Sequence, residues 1–369
     1  MRRGGTALIG AGALYGVILF SHGDLGVDVH WITDYYLQVL MLAGINIIVT
    51  IGLNLINGFT GQFSIGQAGF MAIGAYLTAM LAKLVIPLET LPLAYQLSAF
   101  LALLLIAGSA AGAVGYLIGL PSLRLKGDYL AIVTLAFGEV VRSVIRSSDE
   151  TAATLRSWGL SGLAGPIEGI GGPRGFGGFP KFDSLAVGGW TIPILFTLVF
   201  VLTAVTVVVA RNIVYSSYGR ACLSVRGNEI AAEVVGVDST RVKVLAFALS
   251  GFLAGVGGGL FAFVIRFLHP DNFSFLKSID YLIFLYAGGI ASLSGSIISA
   301  GSLTVLPEFL RVVGFEQWRL VVYPLLLIGL MLWWPSGLMG NREFPFLAAP
   351  EKGLPEVTDV TDHKSQHVL

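Results

Sequence analysis

Charge, cysteine and histidine are all scarce in this sequence. Only 12% of its 369 residues are charged, against about a quarter in soluble domains, which excludes the surface of a water-soluble enzyme. Lys plus Arg and Asp plus Glu number 22 each, so no net basic field exists to draw nucleic acid. Cys222 stands alone, which excludes an internal disulfide and any multi-thiolate metal site. His22, His30, His269, His363 and His367 lack metal-ligand spacing, so no metal is expected. No phosphate-cradling Gly-x-x-x-x-Gly-Lys-Ser/Thr or dinucleotide fingerprint occurs. Nor is there a nucleophile constellation, and no catalytic residue or bound cofactor is expected in the chain itself.

What the sequence does hold is apolar: 55% hydrophobic residues, 48 glycines and a mean hydropathy of +0.82. Runs of about 20 apolar residues match a hydrocarbon core of about 30 Å. They lie at 35–55, 64–86, 93–120, 129–145, 191–210, 244–267, 281–294, 297–313 and 320–334. With 6–20, read as a retained first span because no cleavage pattern follows it, they predict an all-α polytopic transmembrane helical bundle of about ten spans. Membrane lipid is its solvent. The pair 281–294 and 297–313 is interrupted by Gly288, Gly289 and Gly295 and reads as two spans or as a re-entrant hairpin.

Basic residues collect on the cytoplasmic side of membrane proteins. With Arg2 and Arg3 inside, alternating crossings place Arg124 and Lys126 inside, and Arg211, Arg220, Arg226, Arg241 and Lys243 as well. Both termini are then cytoplasmic. The transmembrane domain is expected over 1–334, with an outer Gly- and Pro-rich loop at about 147–190 that favours turns over helix. A cytoplasmic segment covers 211–243. The polar remainder, 335–369, with Pro345, Pro350 and Pro355, reads as a flexible cytoplasmic tail.

Small residues four apart let membrane helices approach closely, which makes Gly251, Gly255 and Gly259 a packing stripe, alongside Gly108 with Gly112 and Gly115 with Gly119. The uncharged stretch 53–67 is different. It sets Asn54, Asn57, Gln62, Ser64 and Gln67 among Gly58, Gly61 and Gly66. Such a stretch breaks a helix at membrane depth, either lining a translocation path or forming a connecting hairpin. Glu139 falls about eleven residues into its span, near mid-membrane. It is either a pathway group or an ion-pair partner of Arg142.

In the cytoplasmic segment, Asn228 can cap a helix whose first turn carries Glu229 and which Gly236 ends. Ala231 and Ala232 keep this rod of about two turns slim, Ile230 and Val234 give it an apolar edge, and Asp238 starts the next helix. A rod of this kind suits a groove on a soluble partner, or rests on the bilayer.

The run Glu229-Ile230-Ala231-Ala232-Glu233-Val234-Val235-Gly236 resembles the Glu-Ala-Ala…Gly loop of ABC-importer permeases. It occurs with Gly219-Arg220-Ala221, the segment 241–250, the segment Gly127 to Glu139 and Gly288-Gly289…Ser294-Gly295. Together these motifs, over about 40–313, resemble the LivM-type permease of branched-chain amino acid importers. The resemblance implies an inner-membrane permease that pairs with a LivH-type permease and receives amino acid from an extracytoplasmic binding protein. It also implies two cytoplasmic ATPase subunits that hold ATP and Mg, contacted through Gly219, Arg220, Asn228, Glu229, Ala231, Ala232, Glu233 and Gly236. Arg174 stands where the family commonly has Asn, and Gln67 where relatives often have His. A relative importing urea or short amides is the near alternative. A self-sufficient ion-coupled transporter or channel using Glu139 is the alternative of another class.

Overall fold

The computed structural model describes residues 34–84, 92–122, 128–158, 161–178, 185–187 and 190–312, with separate positions from 314 to 347. The first apolar run and the chain beyond 347 lie outside the described residues. In chain order the helices are α1 (Asp34–Asn54), α2 (Gln67–Leu84), α3 (Leu93–Ser122), α4 (Asp128–Arg146), α5 (Ser148–Ser157), α6 (Ser161–Glu168), α7 (Ile194–Val214), α8 (Ser217–Gly227), α9 (Glu229–Val234), α10 (Ser239–Ile265), α11 (Phe275–Gly288) and α12 (Leu293–Val312). Two small antiparallel strand pairs are the only sheet among the described residues: Phe176–Gly177 with the distant Phe267–Leu268, and the hairpin Leu185–Val187 with Trp190–Ile192. The chain is a multi-pass helical membrane protein: by length and composition, α3, α7, α10, α12 and the run Tyr35–Phe59 suffice to cross a bilayer.

Helix α10 is the axis, buried along most of its length between α1, α2 and α3. Its glycines make that possible. A Cβ on Gly251 would lie 2.7 Å from the Ala111 carbonyl oxygen, and one on Gly255 would lie 2.6 Å from Ala111 Cβ. Gly259 is equally tight against Leu104 and Thr78. The approach of α2 is closer still, since a Cβ on Gly74 or on Gly258 would fall 2.0 Å from the backbone oxygen of Gly255 or Met71. With no hydrophobic drive between helices in lipid, such backbone contact supplies the dispersion that holds the bundle.

The order of contacts gives the directions. Gly74 meets Gly255 and Thr78 meets Gly259, so α2 runs parallel to α10, while Gly108 beside Val256 and Gly119 beside Val244 make α3 antiparallel to it. Helices α11 and α12 form an antiparallel pair, joined at Gly289–Ser292 and in backbone contact at Gly288 and Gly295. The first of them has only 14 residues, about 21 Å at 1.5 Å per residue. It is entered through a 3₁₀ turn, Pro270–Phe273, that sits against Tyr76 and Phe261.

The region 147–190 departs from the expected turns, for it carries α5 and α6. Ser148-Asp149-Glu150 opens α5 with acids at the positive end of the helix dipole, and alanines follow. An Arg156–Glu168 ion pair joins the two helices. Of the polar remainder 335–369, the described positions near its start are bonded to the bundle, and residues beyond 347 lie outside the described ones. The amides of Leu338 and Met339 donate to the carbonyls of Ala287 and Gly288 at 2.8 and 3.2 Å, and the Glu343 carboxylate accepts from the Leu293 and Ser294 amides at 2.7 and 2.9 Å. This short segment caps α12 at the negative-preferring end of its dipole and forms a strap over the α11–α12 turn.

Candidate coupling surface and polar track

Helices α8 and α9 form an elbow at the end of the bundle where α3 and α7 finish and α10 begins. Gly219 has to be glycine, because a Cβ there would lie 1.9 Å from the Val214 carbonyl oxygen where α7 turns into α8. Arg220 donates to Ser217 Oγ at 3.1 Å and reaches the Tyr215 carbonyl at 3.4 Å, holding the same corner. Asn228 Oδ1 then accepts from the Ala231 amide at 3.1 Å and caps α9. The helix has six residues, about 1.7 turns, and Gly236 at φ +88° closes it. The Val237 amide bonds the Ala232 carbonyl at 3.0 Å and the Gly236 amide bonds the Glu233 carbonyl at 2.9 Å, the Schellman pairing.

One side of α9 is seated. Ala232 is buried, Lys243 Nζ of α10 donates to Glu229 Oε1 at 2.5 Å, and Glu233 accepts from Ser239 Oγ. Both carboxylates therefore tether α9 to α10. The other side is bare and apolar, with Ile230 71%, Val234 83% and Val235 77% exposed. Ala231 lies on this side too. Asp238 begins α10 as the sequence suggests, accepting from the Arg241 amide at 2.9 Å.

The stretch 53–67 is broken at the level of α1 and α2. After α1 the chain makes a π turn, Leu55–Phe59, turns at Gly61, which has φ +69°, and enters α2 at Gln67, whose Nε2 donates back to the Val49 carbonyl at 3.2 Å. Asn54 is fully buried. Its Nδ2 donates to the Ser292 carbonyl at 2.9 Å and to Ser296 Oγ at 2.8 Å. Gly58 leaves room for this, since a Cβ there would lie 1.7 Å from Asn54 Oδ1. Asn57 and Ser64 clamp the loop reciprocally, side-chain amide to backbone, at 3.1 Å each way. Gln67 Oε1 accepts from Ser250 Oγ on α10 at 3.2 Å, and Gln62 is half-buried nearby. Three separate hydrogen-bonded groups thus follow one another along this polar track: Asn54 ties α1 to α12, Asn57 pairs with Ser64, and Gln67 ties α2 to α1 and α10. Glu139 lies apart from it. Its Oε2 accepts from Arg142 at 2.8 Å and its Oε1 from the Phe275 amide at 2.9 Å, so it caps α11 while Arg142 continues to Asp271 at 2.5 Å.

Residues 35–331 match the model of the family described as branched-chain amino acid transport system, permease component. The high-affinity branched-chain amino acid transport system permease protein LivM of Salmonella typhimurium is 31% identical over 347 residues, covering 87% of this chain and 74% of the relative. LivM of Escherichia coli is 32% identical over 325 residues, covering 82% and 69%. BraD of Pseudomonas aeruginosa, another permease protein of such a system, is 24% identical, covering 84% and 97%. The chain belongs to the branched-chain amino acid permease family. No solved structure matches it.

Three features of this permease escaped the sequence reading. Helix α8 was not expected, although Ser216, which accepts from the Gly219 amide, was a visible cap. The strap carried by Glu343 and the capping of α11 by Glu139 each join residues far apart in the chain, for which no local spacing exists. Among the described residues no group of histidine, cysteine or acidic side chains is placed to hold a metal.

Proposed function

We propose that this chain is the LivM-type subunit of an ATP-driven importer of branched-chain amino acids, embedded in the inner membrane. Within that assembly it pairs with a LivH-type permease, rests on two cytoplasmic ATPase subunits that hold ATP and Mg, and receives solute from an extracytoplasmic binding protein. It supplies path and lever and performs no catalysis itself. The observation that carries the coupling role is the α8–α9 elbow. An apolar edge of Ile230, Val234 and Val235 left in water at the end of a membrane bundle suits the groove of a soluble partner. The rigid seat beneath it, through Glu229 and Lys243, passes a push directly to α10. The basic residues around 211–243 support a cytoplasmic location for this end under the charge rule.

The mechanism follows. ATP favours the closed ATPase arrangement, and only that differential affinity can shift the permease pair between outward and inward openings. Movement of α9 tilts α10, and because α10 touches Gly74 of α2 and Gln67 of the polar track, the tilt reaches the break between α1 and α2. Co-reconstitution with the partner permease, the ATPases and the binding protein tests the reading. Leucine uptake that requires ATP supports it. Uptake of urea in place of leucine assigns the amide branch of the family, and uptake by the chain alone assigns a self-sufficient transporter.

A further inference from the structure

Helix α11 carries two charges that neither the elbow nor the polar track employs. Its buried side is fixed to the bundle, with Ser278 Oγ accepting from the Ala68 amide at 3.1 Å and the Tyr281 hydroxyl 3.0 Å from Met71 Sδ. Its other side is a stripe of Leu276, Asp280, Ile283 and Tyr286, on which the Asp280 side chain is 45% exposed. Lys277 stands at the stripe's edge, its Nζ 3.9 Å from Asp280 Oδ2 and 5.2 Å from the centre of the Tyr281 ring. At that separation the two charges attract without sharing a hydrogen bond. Each keeps capacity for another partner.

Depth decides what this means. The Tyr281 hydroxyl, next in sequence to Asp280, donates to Asn46 Oδ1 at 3.3 Å, and Asn46 lies in the middle of the apolar run Tyr35–Phe59. Asp280 is therefore near the centre of the hydrocarbon layer. A charged side chain facing lipid there costs about 2.5–3.5 kcal/mol on insertion scales, and such groups face a cavity or another protein instead. A stripe carrying Asp280 at that depth suits a face turned toward a second permease subunit and water rather than toward lipid.

We propose that Lys277 and Asp280 form a subsite for the charged head of an α-amino acid in transit, its carboxylate against Lys277 Nζ and its ammonium against Asp280. Leu276 and Ile283, one helical turn to either side, meet the aliphatic side chain. The proposal rests on the import reading and deepens it. A zwitterion inserted between two loosely paired opposite charges leaves the net charge of the site unchanged, so entry and exit carry no penalty for a buried uncompensated ion. A neutral amide gains nothing comparable from such a pair.

The test uses the complete reconstituted complex. Asp280→Asn and Lys277→Gln are expected to reduce leucine uptake about tenfold or more, an effect on the transport step, while leucine-loaded binding protein still stimulates ATP hydrolysis. Undiminished uptake in either variant overturns the subsite. Because a mid-membrane substitution can impair assembly, Ile283→Cys in a Cys222→Ala background gives a second reading with both charges in place. Its thiol is expected to react with a membrane-impermeant cationic thiosulfonate and to be shielded when leucine is supplied with the binding protein. An assembled complex whose thiol never reacts places the stripe in lipid and overturns the subsite. Absence of leucine uptake by the unaltered complex is the separate result that removes the import reading itself.

Discussion

Asn54, at the end of α1, fastens the turn between α11 and α12 by donating to the Ser292 carbonyl at 2.9 Å while its Oδ1 accepts from the Ala291 amide at 3.0 Å. Ala291 has φ +63°, a left-handed conformation unusual for a residue with a side chain, and this bond helps to hold it there. Asn54→Ala removes both partners from a fully buried site. Unsatisfied buried groups cost about 1–3 kcal/mol each, so the purified protein is expected to melt clearly lower by scanning fluorimetry. An unchanged midpoint would show that the turn does not depend on Asn54.

The two sides of α9 separate under substitution. Ile230→Asp and Val234→Asp touch only exposed positions, and stability is expected to change by about 0.5 kcal/mol or less, whereas ATP-coupled uptake is lost. Glu229→Lys sets a cation beside the Lys243 ammonium, which is nearly buried, so thermal stability and coupling should fall together. Equal effects of the two kinds of variant in both assays would remove the distinction between seat and docking edge.

The local devices were readable from sequence because their parts are neighbours in the chain. The Asn228 cap, the Gly236 stop, the Asp238 cap and the glycine stripe of α10 each depend on residues within a turn or two. Gly74 and Gly258 were not readable. Neither has a distinguishing spacing, and their importance arises only where α2 crosses α10. The amide side chains of the track were visible as a polar interruption, but their partners Ser250, Ser292 and Ser296 are brought in by the fold. The same holds for Glu343 at the start of α12 and for Glu139 at the start of α11. Long-range caps of this kind leave no periodic mark.

Glycine positions give a contrast with little chemistry in it. Gly138 has no neighbour nearer than 3.9 Å to a would-be Cβ, while Gly74 would meet the Gly255 carbonyl oxygen at 2.0 Å. Gly138→Ala is expected to be neutral or slightly stabilising, since alanine is the better helix former by about 1 kcal/mol. Gly74→Ala forces α2 and α10 apart and is expected to reduce folded yield severely, read by size-exclusion profiles of the two variants side by side.

Cys222 reports on the elbow through pH. Burial pushes its thiol from 9.0 up to about 11. The folded state thus favours the protonated form: its stabilisation is complete below about 9, where the unfolded thiol is still protonated, and is lost as pH rises through about 11. Alkylation near neutral pH is expected to be slow in the folded protein, and Cys222→Ala should flatten the alkaline loss of stability. Fast alkylation of the native protein at neutral pH would place the thiol in water.

A photo-crosslinker at Val234, the most exposed apolar residue of α9, addresses the coupling role in the assembled membrane. The expected product is a covalent adduct with an ATPase subunit, formed in greater or lesser yield as ATP is added or withheld. Adducts with lipid alone, or with a protein on the outer side of the membrane, would contradict it.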